Sequence, residues 1–325
     1  MQHLNTYLDK IRTEIVEARM RAFKSPSMIP HAEIFQEIMD YNFQSLGKML
    51  RPALCVLICD ALGGAHDEGI HLGSSIELVH AGSLVHDDFI DEDEFRHGQL
   101  TVWKKFGIKA SVLFGDILYV NAAVSVRTLP EEHMADAFKE LMDVFGLASS
   151  GAMRETYRSQ FNMNDYIDII KLKTASLYRG SARLGSIASN ATEDTKNLIG
   201  QFGEQVGIAF QIADDLVDVQ KSYNEQIPIG DMKEGKVTLP IIYIHEKYPE
   251  LHRECDRYAK GIKDVREIPG IFEKLPEALS YTRDHIGYVL EQANKYSTMI
   301  PFNNGYRDLV DEYGLYAIGS MLKEV

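Results

Sequence analysis

Proline marks where helices stop, and this chain places its ten prolines very unevenly. Between Pro52 and Pro228 only Pro130 interrupts the sequence. The long gaps carry apolar residues at helical spacing, as in LMDVFGLASSGAM and NLIGQFGEQVGIAFQIADDLVDV. Alternating strand patterns are nearly absent, and the one Asn-Gly pair begins at Asn304. The expected fold is therefore all-α: a single domain over residues 1–325, a bundle of long helices. Helix punctuation is expected at Ser25–Pro30 and at Leu129–Pro130, ahead of the acidic turn of EEHMADAFKELM. The polar, Gly- and Pro-bearing stretch from Lys221 to Lys236 reads as a loop. With 325 residues, 45% of them apolar, the chain can bury a large core.

The net charge of -14 excludes an ordinary duplex-binding surface, so nucleic acid is not an expected partner. Cys55, Cys59 and Cys255 form no C-x-x-C, which fits buried thiols in a reducing, cytoplasmic setting. The N-terminal residues are charged throughout, with no signal-peptide pattern. No apolar stretch approaches 18 residues, so no transmembrane segment is expected; peripheral membrane contact stays open.

The stretch LVHDDFIDEDEFRHG packs acids directly behind an apolar run. On a helix, Asp87, Asp88 and Asp91 share one face through i,i+3 and i,i+4 spacing. Like charges so placed repel unless a cation compensates. Taken alone, such a run is more often a solvated helix face. The same spacing recurs in FQIADDLVDV, as Asp214, Asp215 and Asp218, again behind an apolar helical run. Two matched acid faces suggest one shared site holding hard divalent ions such as Mg²⁺. Cations stand ready for an anionic ligand: Lys48 and Arg51, Arg96 and His97, Lys173 beside Thr174, and Lys236. The phosphate-binding G-x-x-x-x-G-K-[ST] loop of nucleotide sites is missing.

Taken together and in order, LGKMLRP, ELVHAGSLVHDDFID, RHG, FGDILY, KTASL, FQIADDLVD and GDMKEGKVTLP resemble the trans-polyprenyl diphosphate synthase family. The resemblance runs from about Leu46 to Pro240. It implies the isoprenoid synthase fold, with helices around a central active-site cavity. It also implies a Mg²⁺-dependent prenyltransferase that joins an allylic diphosphate to isopentenyl diphosphate. About three Mg²⁺ ions per site are implied, bound to Asp87, Asp91 and Asp214 with Asp88, Asp215 and Asp218 supporting. Arg96, Lys173 and Lys236 would meet the allylic diphosphate. Lys48, Arg51, His80 and His97 would meet isopentenyl diphosphate. Thr174 and Gln211 would face the allylic cation. A homodimer is implied as well.

The chain departs from the family pattern in places. His97 stands where a second arginine is usual, NEQIPIGD lacks a lysine ahead of Asp231, and GAMRE replaces a Gly-Glu/Gln start. The first glycine of the LGKMLRP motif is also missing. A non-catalytic partner subunit of a second synthase, or a cyclase of the same fold, would also suit the fold, but both acid motifs are complete here. Ala81, Gly82 and Ser83, just before Asp87, are small, so the top of a chain-length tunnel is expected to be open there. That points to a product of about twenty carbons or more, best placed at about twenty-five to thirty-five, because no bulky side chain crowds those positions. The tunnel floor would be set by a large side chain such as Phe114, Tyr119, Phe138, Met142 or Phe145.

Overall fold

The computed structural model describes residues 2–23, 33–44, 47–157 and 162–322. The Ser25–Pro30 break lies outside the described residues. The N-terminal part holds α1 (Gln2–Phe23), α2 (Glu33–Asn42), α3 (Leu50–Ala61) and α4 (His66–Ile90). Next come α5 (Val102–Phe106), α6 (Ile108–Ser125), α7 (Glu131–Thr156), α8 (Met163–Ile170) and α9 (Ser176–Ala188). The remainder is α10 (Glu193–Glu225), α11 (Gly230–Glu234), α12 (Leu239–Lys247), α13 (His252–Tyr258), α14 (Pro269–Thr298) and α15 (Arg307–Leu322). The fold is all-α, as the proline spacing predicts. Helix α7 starts directly after Pro130, with Glu131 and Glu132 in its first turn.

Two local expectations are corrected. Helix α10 runs on to Glu225, because nothing breaks it before Pro228, and Gly230–Glu234 is itself a short helix. Lys221–Lys236 is thus mostly helical. A two-residue hairpin pairs β1 (Phe95–Arg96) with β2 (Gln99–Leu100). Its turn residues, His97 and Gly98, have φ of 49° and 79°. Positive φ at both turn positions is what a tight type I′ hairpin demands.

Three buried apolar clusters hold the bundle. One gathers α10, α12 and α14, one gathers α4, α6 and α7, and one gathers α1, α3 and α15. The long helices α4 and α10 are thereby fixed against different partners. Helix α6 with the turn that follows, Ile108–Thr128, is long and apolar enough by composition to cross a membrane, which the sequence reading did not anticipate. Its inner face, with Phe114, Leu118 and Ala122, packs into the core, while Ile108, Leu113 and Val120 stay exposed. Lys171–Ala175 is a π turn joining α8 to α9.

His66 ties α1 to the α3–α4 turn. Its Nε2 meets Glu14 Oε2 at 2.8 Å and its Nδ1 meets Asp60 Oδ1 at 2.9 Å. With a carboxylate on each nitrogen, both nitrogens donate and the ring is cationic. Burial opposes that charge, but Glu14 and Asp60 outweigh it and raise the His66 pKa above 6.5. Burial likewise works against the Glu14 carboxylate, but His66 and Lys10 prevail and hold its pKa below 4.5. His66 therefore adds stability that is complete below its unfolded pKa and lost as pH rises through its folded one. The Glu14 share is present above its unfolded pKa and lost in acid. The expected outcome is that His66→Ala lowers Tm most between about pH 5 and 6, with the difference from wild type shrinking above about pH 8. Thermal melts across that range check it; a difference that grows with pH would contradict the bridge.

Candidate active site

A cavity of 620 Å³ opens where the C-terminal turns of α4 and α7 meet the middle of α10. Every predicted site residue except Gly82 and Asp218 lines it. Helical spacing puts Asp87 and Asp88 on the last turn of α4, and Asp91 caps that helix, its N–H donating to the Asp87 carbonyl at 2.8 Å. The second acid face stands on α10.

The acids within each face are not equivalent. Asp88 is buried and accepts from Arg96 Nε at 2.5 Å. Burial pushes its pKa up to about 6 against the pull of Arg96. The hairpin is what turns Arg96 back onto α4, leaving His97 exposed at the mouth. Asp215 is buried and takes two donors, Tyr166 Oη at 2.6 Å and Gln211 Nε2 at 2.9 Å. Burial lifts it to about 7 despite those two bonds. Gln211 in turn accepts from Thr174 Oγ1 at 2.7 Å, so the Thr174 hydroxyl is oriented by the same chain. Asp87 and Asp214 face the open cavity; its protein walls still raise both pKa values by burial.

Asp218 is turned away from the cavity wall. Its carboxylate accepts the backbone N–H of Asp231 at 2.6 Å and thereby anchors α11 beneath the site. Asp218, expected to support the metal side, does not line the cavity; Asp231, the residue it holds, does. Asp231 lines the cavity, and burial together with Asp215 and Asp218 pushes its pKa well up.

Two lysines stand against the α4 face. Lys236, after α11, reaches Asp91 at 3.2 Å and Glu234 at 2.8 Å. Lys173 lies on the π turn, a local widening that is common at functional sites. It bonds Glu155 at 2.6 Å and stands 3.8 Å from Asp87. Burial works against both ammonium charges, but the carboxylates outweigh it and raise both pKa values.

A separate corner holds Arg51, which donates to His80 Nε2 at 2.9 Å and stacks 4.9 Å from the Tyr178 ring. Burial, Arg51 and Arg96 keep the His80 pKa well below 6.5. His80 is therefore neutral, with its proton on Nδ1. It accepts from Arg51 and so orients that guanidinium.

Gly82 corrects the tunnel expectation. It faces α6, where a Cβ would lie 2.9 Å from Tyr119 Cε1 and 3.2 Å from the Gly115 carbonyl. At Gly82 the missing side chain does not leave open space: the Tyr119 ring fills it, backed by Phe145 at 4.2 Å. Ala81 and Ser83 do line the cavity. Tyr166 and Glu155 escaped the sequence reading. Tyr166 lies in an unremarkable helical pattern, and Glu155 becomes a site residue only because the chain folds it onto Lys173.

The polyprenyl synthetase family profile matches residues 32–275. This chain belongs to the polyprenyl synthetase family. It is 30% identical over 301 residues to a geranylgeranyl diphosphate synthase of Sulfolobus acidocaldarius, covering 90% of this chain and 89% of that one. It is 29% identical over 303 residues to a nonaprenyl diphosphate synthase of Mycobacterium tuberculosis, again covering 90% and 89%. A solved structure of a geranylgeranyl pyrophosphate synthetase from Geoglobus acetivorans superposes with TM-score 0.78 at 28% identity, covering 97% of each chain.

Proposed function

We propose that this protein is a prenyltransferase that joins an allylic diphosphate to isopentenyl diphosphate, head to tail, in a Mg²⁺-dependent reaction. The observation that carries this is the pair of acid faces across one cavity, with Lys236 and Lys173 set against Asp91 and Asp87 of the α4 face, beside a separate Arg51 corner. Two diphosphates need two such stations. The synthase names of the relatives support the same reaction.

Asp87, Asp91 and Asp214 offer hard oxygen donors, and burial leaves the cavity short of positive charge. Among the described residues no group of three or more acid, His or Cys side chains is close enough to hold a metal ion by itself, so Mg²⁺ in this reading would need phosphate oxygens as further ligands. Bound there, Mg²⁺ supplies Lewis-acid stabilisation of the leaving diphosphate. Lys173, Lys236 and Arg96 add fixed positive charge where that diphosphate becomes more negative. As the allylic C1–O bond breaks, the hydroxyl and amide oxygens of Thr174 and Gln211 face the cation. C4 of isopentenyl diphosphate, held by Lys48 and Arg51 with His97 at the rim, forms the new bond to C1. The proton lost from its C2 leaves with the released diphosphate.

Product length in this reading is set by Tyr119. The ring supplies from α6 the block that Gly82 and Ser83 cannot supply from α4. The product therefore sits toward the short end of the range read from sequence, at about twenty carbons, because ring and chain cannot share that space without overpacking. The exposed apolar side of α6 suits a second copy of the chain, with Ile108, Leu113 and Val120 at its centre. The buried, free Cys55, Cys59 and Cys255 suit a reducing cytoplasmic compartment.

Three measurements test this. Turnover of isopentenyl diphosphate with allylic primers of rising length should require Mg²⁺. It should fall by about a hundredfold or more in Asp87→Ala and in Asp214→Ala, since lost charge stabilisation of this kind is worth several kcal/mol. Near-normal turnover in either variant would remove the two-face site, and an inert wild type would favour a non-catalytic subunit. Chromatography of dephosphorylated products should show Tyr119→Ala extending the main product by one or more five-carbon units; an unchanged length would clear Tyr119. Sedimentation should show a dimer that Leu113→Glu dissociates, and a wild-type monomer would discount the α6 face.

A further inference from the structure

The turn that enters α3 carries Lys48 and Arg51, and its shape is not one the chain adopts by preference. Met49, the residue before α3, sits at φ 48° and ψ 38°, in the left-handed region. A non-glycine residue there is strained, and such a conformation persists only where its surroundings impose it. Two side chains, one from each end of the chain, grip the backbone at this point, and two more hold the first of them. Arg12 of α1 donates from Nε to the Lys48 carbonyl at 2.9 Å. Tyr316 of α15 accepts from Arg12 Nη2 at 2.9 Å, and Asp9 accepts from Arg12 Nη1 at 2.8 Å, which fixes the guanidinium plane. Tyr313 of α15, fully buried, donates its hydroxyl to the Leu50 carbonyl at 2.5 Å.

We infer that Arg12, Tyr316 and Tyr313 form a strap that holds the strained Lys48–Leu50 turn, so that Arg12 and Tyr313 are positioning residues for the homoallylic diphosphate. This rests on the reading of Lys48 and Arg51 as the isopentenyl diphosphate station. Neither Arg12 nor Tyr313 lines the cavity, so both act through the backbone they hold. Arg51 leaves this turn at the first residues of α3, and its bond to His80 is made only if the turn delivers it at that angle. The acid faces stand on α4 and α10, so the strap bears on one substrate and not on the other. The fork geometry matters: one guanidinium serves a carbonyl, a hydroxyl and a carboxylate at once, which an ammonium on a flexible stem cannot copy.

The test compares Arg12→Ala, Arg12→Lys and Tyr313→Phe with wild type. His66→Gln serves as control, because it weakens a separate polar tie of α1, through Glu14, without touching the turn. Steady-state kinetics should show KM for isopentenyl diphosphate rising about tenfold or more in Arg12→Ala, the size of effect expected when a charged hydrogen bond is lost. Arg12→Lys should recover part of that loss. Tyr313→Phe should raise the same KM by a smaller factor with the ring kept in place. The allylic KM and kcat should stay within about twofold of wild type in all three. Hydrogen exchange of the backbone amides over residues 49–53 should quicken in Arg12→Ala and stay at the wild-type rate in His66→Gln. Equal shifts in both KM values, or the same isopentenyl-selective shift in His66→Gln, would reduce Arg12 to a general tether of α1 and overturn the inference. Unchanged exchange over residues 49–53 would overturn it independently of turnover. A wild type that consumes neither substrate would sink the functional reading, and the exchange data would still decide whether the strap exists.

Discussion

Carboxylates facing one another across a walled cavity are the constraint on which the rest of this structure depends. Their repulsion is strengthened by the protein around them, which screens charge less well than water. Burial raises the pKa of Asp87, Asp88, Asp214, Asp215 and Asp231 alike. Lys173 and Lys236 offset part of that repulsion, each reaching toward an acid of the α4 face. The balance also explains why α4 and α10 belong to different buried clusters. Two rigid helices, each packed on its own side, can hold like charges close without sliding apart.

Each acid face divides its labour in the same way. The first acid of each pair, Asp87 or Asp214, faces the cavity. The second, Asp88 or Asp215, is buried and bonded to protein: Asp88 to Arg96, Asp215 to Tyr166 and Gln211. The buried acid orients its hydrogen-bond partners, and the outer acid faces the cavity. A buried carboxylate is costly unless hydrogen-bonded, and both have what they need. The chain Asp215–Gln211–Thr174 carries this ordering on to a hydroxyl at the cavity wall.

Much of this was legible because it is local. Spacings of three and four on a helix place Asp87 with Asp91 and Asp214 with Asp218 without knowledge of the fold, and proline gaps mark where long helices can run. What escaped depends on contacts between distant segments or on backbone geometry. Tyr119 over Gly82 is a meeting of α6 with α4 that no periodicity reveals, and it closes the space expected at that one position. Tyr166 becomes a site residue only through Asp215, far along the chain. The His97–Gly98 hairpin hid because the turn carries a histidine in the left-handed position, where Asn or Asp is the usual signal. The Lys221–Lys236 segment was read from its Gly and Pro content, yet helical propensity carries α10 on until Pro228 approaches.

The same hairpin bears on the meaning of His97. The usual arginine at this position would bring a fixed charge, whereas here the side chain is exposed and its backbone lies at φ 49°. A long arginine held at that turn could reach over the mouth of the cavity, and an imidazole is shorter. Burial, Arg51 and Arg96 hold the His80 pKa well down. In the proposed reaction the homoallylic diphosphate therefore relies chiefly on Lys48 and Arg51, at the strained turn that enters α3. With histidines in both flanking places, accuracy in that turn has to do what additional charge would otherwise do, and the chain devotes side chains from both its terminal helices to holding it.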